Sequence, residues 1–319
     1  MNEEIPIKTL IQNNRVEIPD KLNKVERQYT FEQIITKGEE TTYIRYNFTV
    51  DFLRNKSDMS LFGRIKRISP VFINDKEPDL VVDELAYETG KVFYPLSILL
   101  SEEGKFIRVS NYEEVVERWT KQRAKIADYF VGEIVDKYLL LADETIYSQD
   151  KLNRVFRRDI FMSVFFFPVY QYYNTLKSGK ESECYFPLAG KSTPVKFRIE
   201  EILNEFLTDN HSIEISHSGY SIDKRSFHEI EWNYDEAGRN SRAADIKYFA
   251  RYNLEMRTKL IQTIETRWDF LTDIPYTIEV KVVPLNGIPN KESLIVEIEE
   301  ESHKETGFFQ NLWDVIRGK

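Results

Sequence analysis

One pattern constrains this chain more than any other. Between Thr42 and Leu53 apolar and polar residues alternate, with Tyr46, Phe48, Val50 and Phe52 on one side. A period of two marks a strand that is buried on one face and wetted on the other, the usual habit of antiparallel sheets. Tyr29 to Ile35, joined to it by the turn Lys37-Gly38-Glu39-Glu40, reads as its hairpin partner. Further strands are expected at 61–73 and 92–100, and YPLSILLSEEGKFIRVSN reads as a hairpin around Ser101-Glu102-Glu103-Gly104. The alternation returns late in the chain. Lys247 to Phe270 holds at least two strands, Tyr276 to Val283 and Leu294 to Ile298 alternate, and His211 to Ile222 reads as a hairpin around Ser218-Gly219.

Between these stretches the period changes. Val115, Trp119, Ile126, Phe130, Ile134 and Tyr138 recur at steps of four or seven and predict one apolar helical stripe. Ser110 or Asn111 suits its cap, with Glu113 or Glu114 completing a capping box. Glu114 with Arg118, Glu117 with Lys121 and Glu133 with Lys137 stand four apart in the favourable order. A single helix of ~30 residues would be ~45 Å long, so Gly132 is a natural point to bend or split it. A second helix is predicted from Ser148 or Asp150, running toward the apolar segment Ile160 to Tyr170. That segment falls short of the ~20 residues a membrane span needs, and Pro168 interrupts it.

The expected fold class is therefore α+β: mostly antiparallel sheet in two β-rich units, a helical block between them and a C-terminal amphipathic helix. The expected divisions are an extended N-terminal arm at 1–26, a β-rich unit followed by long helices at 27–178, a second β-rich unit at 179–303, and the C-terminal helix at 304–319. The polar run LKSGKESE marks the boundary between the larger pieces. Arg45-Tyr46-Asn47 recurs as Arg251-Tyr252-Asn253, each read as opening a strand after a turn, which raises the question of a duplicated unit.

Composition narrows the function. The formal net charge of −9 opposes binding to nucleic-acid backbones, which requires concentrated positive charge. Cys184 is the single cysteine, so no disulfide forms within the chain, and a reducing, cytoplasmic setting is expected. The opening MNEEIPIKTLIQNN lacks the basic and apolar parts of a signal peptide.

No local motif carries an obvious chemistry. Gly190-Lys191-Ser192 matches the end of a phosphate-binding loop, but Tyr185 stands where the first glycine is needed and no metal-binding acid follows on a later strand. An ordinary strand-turn-helix connection is expected instead, with Thr193 as cap, Pro194 at the first helical position, and Val195, Ile199, Ile202 and Phe206 on the apolar face. His211, His217, His228 and His303 lack the compact spacing of a zinc site. Glu231, Asp235 and Glu236 around Trp232 suggest a sugar-type cleft only if their separation suits an acid and a base. Asp159, in an apolar run after Arg157 and Arg158, calls for a neighbouring arginine as partner or a shifted pKa. No catalytic, cofactor, nucleotide or metal residue is assigned.

The expected function is a non-enzymatic cytoplasmic protein that binds other proteins or itself, as a subunit or adaptor of a larger assembly. Phe308, Phe309, Leu312, Trp313 and Ile316, which share one helical face in GFFQNLWDVIRGK, are the expected partner-binding residues. Two alternatives stand beside this: a binder of a small apolar ligand in a curved sheet, and an enzyme whose site is spread over distant segments. A compact cavity with convergent polar groups favours the first, a deep cleft with paired acids the second, and exposed apolar patches favour assembly.

Overall fold

The computed structural model describes residues 6–7, 11, 13–18, 26–77, 81–173, 179–189, 193–232 and 242–285. Twelve described strands form one antiparallel sheet. The first group is β1 (Arg27–Lys37), β2 (Glu40–Arg54), β3 (Leu61–Arg67), β4 (Phe72–Ile73), β5 (Leu96–Leu100) and β6 (Phe106–Val109). The second is β7 (Lys180–Phe186), β8 (Val195–Leu203), β9 (Ser212–Ser221), β10 (Ile246–Glu255), β11 (Ile261–Phe270) and β12 (Tyr276–Pro284). Along the sheet the order is β6-β5-β3-β2-β1-β12-β11-β10-β9-β8-β7, with β4 beside β2. The first and last strands join the halves, in register from Tyr29 opposite Pro284 to Lys37 opposite Tyr276.

Six described helices accompany the sheet: α1 (Val81–Lys91), α2 (Tyr112–Tyr129), α3 (Glu133–Ile146), α4 (Gln149–Arg157), α5 (Ile160–Phe165) and α6 (Phe227–Trp232). The architecture is α+β, with much more strand than helix. No described helix is long and apolar enough to cross a membrane.

The sheet has a dry face and a wet one. Tyr29 and Phe31 of β1, Phe48, Val50 and Phe52 of β2, and Tyr248, Tyr252 and Leu254 of β10 point inward and are buried. Residues between them face outward, where Arg251 pairs with Glu214 at 3.2 Å and Arg267 with Glu279 at 2.6 Å across neighbouring strands. Such exposed pairs contribute only tenths of a kcal/mol, about 0.2–1 each. The inward side carries most of the stability, and the aromatic segment after α4 supplies its centre. Phe161 meets the Phe48 ring edge-on at 4.8 Å, Phe165 meets Tyr29 at 5.3 Å, and Phe167 stacks on Phe186 at 6.0 Å. Each such side chain contributes roughly 1.5–3 kcal/mol on burial. Helix geometry lasts only to Phe165, so the apolar segment Ile160 to Tyr170 is a short helix followed by irregular chain. The N-terminal arm helps close this layer, because Ile7, Val16 and Ile18 are buried and Val16 N–H donates to Gln171 O at 3.0 Å.

The helical block divides at Gly132, whose φ of 130° is open to glycine and strained for other residues. Trp119 and Ile126 of α2 are buried as the stripe requires, whereas Ile134 of α3 is exposed. The split rotates α3, which keeps Tyr138 of the stripe buried but turns Val135 and Leu139 inward in place of Ile134. All three helical ion pairs form. Asn111 occupies the cap position of α2, but its side chain does not cap the helix. Its Oδ1 accepts from Ser97 N at 2.9 Å, and its Nδ2 donates to Pro95 O and Glu114. Ser148 caps α4.

Other readings need correction. Helix α1 occupies a stretch to which no element was assigned. The strand expected over 61–73 is broken into β3 and β4, and that over 92–100 begins only at Leu96. The helix expected after Pro194 is strand β8. Its inward residues Val195, Phe197, Ile199 and Leu203 alternate, while Val195, Ile199, Ile202 and Phe206 also satisfy helical spacing, and the buried Glu201 interrupts the apolar run. The hairpin expected at Ser218-Gly219 is one continuous strand, β9. Gly219 is needed there for close approach, since a Cβ would stand 2.4 Å from Arg198 O. Lastly, the two Arg-Tyr-Asn triplets lie within strands and do not open them. Asn47 stands seven residues before the end of β2 at Arg54, and Asn253 two before the end of β10 at Glu255, so they are not equivalent positions.

Candidate functional site

Buried polar groups collect in two places on the dry face. The first lies where α5 begins beneath β1 and β2. Gln33 of β1, Tyr46 of β2, Arg67 at the end of β3, Tyr94 just before β5 and Asp159 at the start of α5 line one cavity of about 50 Å³. Its apolar wall includes Phe31, Ile44, Val71 and Phe161. The register explains how Gln33 reaches it. Tyr29, Phe31 and Gln33 are successive inward positions of β1, and Gln33 is buried with them.

Asp159 is the cap of α5, and its Oδ1 accepts from Met162 N at 2.9 Å. Burial pushes its carboxyl up to about 6, although the Met162 N–H and the Arg67 charge both pull the other way. The ion pair expected with Arg157 or Arg158 is replaced by this capping bond and by the more distant charge of Arg67. The Arg67 guanidinium sits over the Tyr94 ring at 4.6 Å and near the Tyr46 ring at 5.5 Å. Its Nε and Nη1 are buried with no hydrogen-bond partner among the described residues. Burial raises the Tyr94 phenol above its ordinary value, opposed by Arg67, and raises that of Tyr46, assisted by Tyr94 and Asp159.

The second cluster spans β7, β8 and β9. Glu201 is buried, and its carboxyl accepts from Ser182 Oγ at 2.5 Å and from Gln171 Nε2 at 2.5 Å. Lys180 Nζ donates to the same Gln171. Burial raises the Glu201 pKa, while Ser182, Lys180 and Gln171 oppose the rise. His217 lies alongside, its Nε2 3.7 Å from Glu201 Oε2 and its ring 4.9 Å from Phe167. Burial depresses it to about 3, so it stays neutral and makes no ion pair near neutral pH. Burial likewise pushes the Cys184 thiol up, away from the reactive thiolate.

A third feature is apolar and exposed. At the corner joining α2 to α3, Tyr129, Val131 and Ile134 are 77%, 85% and 61% exposed. Phe130 between them turns inward, and its ring meets that of Tyr129 at 4.7 Å.

The residues singled out from sequence are scattered. His211 occupies a turn with φ 55°, His217 the buried cluster and His228 helix α6; His303 lies outside the described residues. No grouping of three or more His, Cys, Asp and Glu that could hold a metal ion occurs among the described residues. Glu231 pairs with Lys37, whereas Asp235 and Glu236 lie outside the described residues. So do Gly190, Lys191 and Ser192, and Phe308, Phe309, Leu312, Trp313 and Ile316. Sequence reasoning missed Gln33, Arg67 and Tyr94. Their one shared signal is polarity next to strand or turn positions, which many residues here possess. Compared with models of known families the chain finds no match, and compared with the curated proteins it finds none either.

Proposed function

We propose that this chain is a non-enzymatic, protein-binding subunit of a cytoplasmic assembly. The observation that carries the reading is the apolar corner at Tyr129, Val131 and Ile134. Side chains of this size gain roughly 1.5–3 kcal/mol each on burial, and clustered exposure of this kind marks interaction surfaces. Asp128, Glu133 and Asp136 are exposed neighbours of the corner in sequence, and Lys137 is already held by Glu133 at 2.7 Å. With Lys125 as the other nearby base, the rim favours a partner protein whose apolar anchor is flanked by basic residues. In this reading the two β-rich units act as a single scaffold for the helical corner. The C-terminal amphipathic helix, through Phe308, Phe309, Leu312, Trp313 and Ile316, supplies a second contact.

The cavity beneath β1 and β2 lends less support to an apolar-ligand binder, because about 50 Å³ is far below the ~300–1,000 Å³ of ordinary ligand pockets. The test replaces Tyr129, Val131 and Ile134 together with serine. The expected result is an unchanged melting temperature and loss of the partner that co-purifies with the native chain. Retention of that partner by the triple variant sinks the proposal. A mass that rises with concentration in ultracentrifugation would instead make a second copy the occupant.

A further inference from the structure

The cavity beneath β1 and β2 has the composition of a receptor for one small anion. Arg67 makes no ion pair among the described residues, and two of its nitrogens lack hydrogen-bond partners although both are buried. A charged guanidinium in such a place needs acceptors, and beyond the neighbouring Tyr94 side chain no described group serves its Nε and Nη1. Asp159 stands across the same cavity but lies beyond ion-pairing distance, with one oxygen committed to the Met162 N–H. The buried Gln33 side chain also faces the space with no hydrogen bond to another described side chain.

Size and lining narrow the ligand. At roughly 10–15 Å³ for each water-sized occupant, about 50 Å³ accommodates only a handful of heavy atoms. Phe31, Ile44, Val71 and Phe161 offer nothing to a multiply charged ion and would pack against a short hydrocarbon stub. We propose that this cavity binds a short-chain monocarboxylate, with Arg67 as its counter-ion, the Gln33 amide and the Asp159 carboxyl as hydrogen-bonding groups, and the apolar wall against its tail. This is a site distinct from the helical corner and stands or falls independently of it.

The charged or titratable groups facing the cavity are Tyr46 from β2, Arg67 from β3, Tyr94 ahead of β5 and Asp159 from α5. β1 contributes Phe31 and Gln33, the chain around β4 contributes Val71 and Ile73, and α4 contributes Phe156, none of which titrates. Asp159 is therefore the group that titrates between pH 5 and 8, and its ionisation places a negative charge against the bound carboxylate.

The experiment is calorimetric titration of the full chain with propionate, with propionamide as the uncharged control, at pH 6 and pH 8. The expected result is saturable uptake of one propionate at pH 6, no uptake of propionamide, and about a tenfold or greater loss of affinity by pH 8. Asp159→Asn should remove that pH dependence, and Arg67→Met should abolish uptake. A urea melt of each variant confirms folding. If Arg67→Met does not fold, the wild-type pH series and Asp159→Asn still decide the matter. Absence of saturable propionate binding, equal binding of propionamide, or undiminished binding by folded Arg67→Met each overturns the proposal.

Discussion

The two polar clusters on the dry face bury similar chemistry and complete it differently. Around Glu201 both carboxyl oxygens are engaged, by Ser182 and by Gln171, and Lys180 steadies Gln171 in turn. Around Arg67 the donors outnumber the acceptors, a cavity stands open between the groups, and Asp159 keeps only its capping bond. A buried polar group costs stability unless it is hydrogen-bonded. The Glu201 carboxyl has met that requirement from within the chain and reads as architecture, tying β7, β8 and the end of the helical segment together, although Nε2 of the neutral His217 beside it has no hydrogen-bond partner among the described residues. Around Arg67 two buried guanidinium nitrogens beside a cavity are left open, and the proposed carboxylate would complete them. Burial alone therefore does not distinguish a site from a core; what matters is which hydrogen bonds are left open.

The largest effect should come from opening the closed cluster. Glu201→Ala would leave the Ser182 hydroxyl and the Gln171 amide without their acceptor. Removing one member of such a buried set typically costs ~3–5 kcal/mol, which a urea melt would read directly. A loss below ~1 kcal/mol would mean that the network relaxes toward water, and the contrast between the clusters would fail. Neighbouring His217 adds no switch near neutral pH, since burial holds it neutral down to about pH 3.

Asp159→Asn should act in the opposite direction. The folded carboxyl has a pKa of about 6, above its ordinary value of 3.8. The native state thus holds this proton more tightly than the unfolded chain. The stability so gained is complete below about pH 4 and is lost as pH rises through 6. Asparagine stays neutral and can still accept from Met162 N, so at pH 7 the variant should be more stable by on the order of 2–3 kcal/mol. The advantage should shrink to nothing near pH 4. An advantage that is absent, or the same at both pH values, would show that the wild-type carboxyl is not held in its protonated form.

How much of this was readable beforehand depends on how local the signal is. Strand β2 announces itself through Phe48, Val50 and Phe52, and α2 through Val115, Trp119 and Ile126, because each pattern repeats within a single element. Strand β8 does not, since its inward Glu201 breaks the alternation that the other inward residues keep. The candidate cavity was almost invisible. Gln33, Tyr46, Arg67, Tyr94 and Asp159 come from separate elements, and only sheet pairing and the crossing of α5 bring them together. Asp159 alone stands out, as a charge within an apolar run, and the arginines beside it in sequence draw attention from Arg67 at the end of β3, the cation that acts on it. The tail residues Phe308 to Ile316 offer the converse case, a clear local pattern outside the described residues.

The smallest stability effect, and the most discriminating, belongs to Arg67→Met. In a structural role the guanidinium would be fixed by several hydrogen bonds, and truncating it would cost as much as Glu201→Ala. Here the visible attachments are the faces of Tyr94 and Tyr46, at 4.6 and 5.5 Å. Those contacts are worth roughly 0.5–2 kcal/mol together with their packing. Against this, methionine relieves the desolvation of two unpartnered N–H groups, a cost of ~1–3 kcal/mol each, and its flexible thioether can lie along the same aromatic walls. The two contributions nearly cancel, so the variant should melt within ~1 kcal/mol of the wild type in ligand-free buffer. Added propionate should then raise the melting temperature of the wild type and leave Arg67→Met unmoved, because only a binding-competent native state is stabilised by its ligand. A ligand-free loss above ~3 kcal/mol would make Arg67 a structural member like Glu201, and the two clusters would then differ in shape and not in purpose.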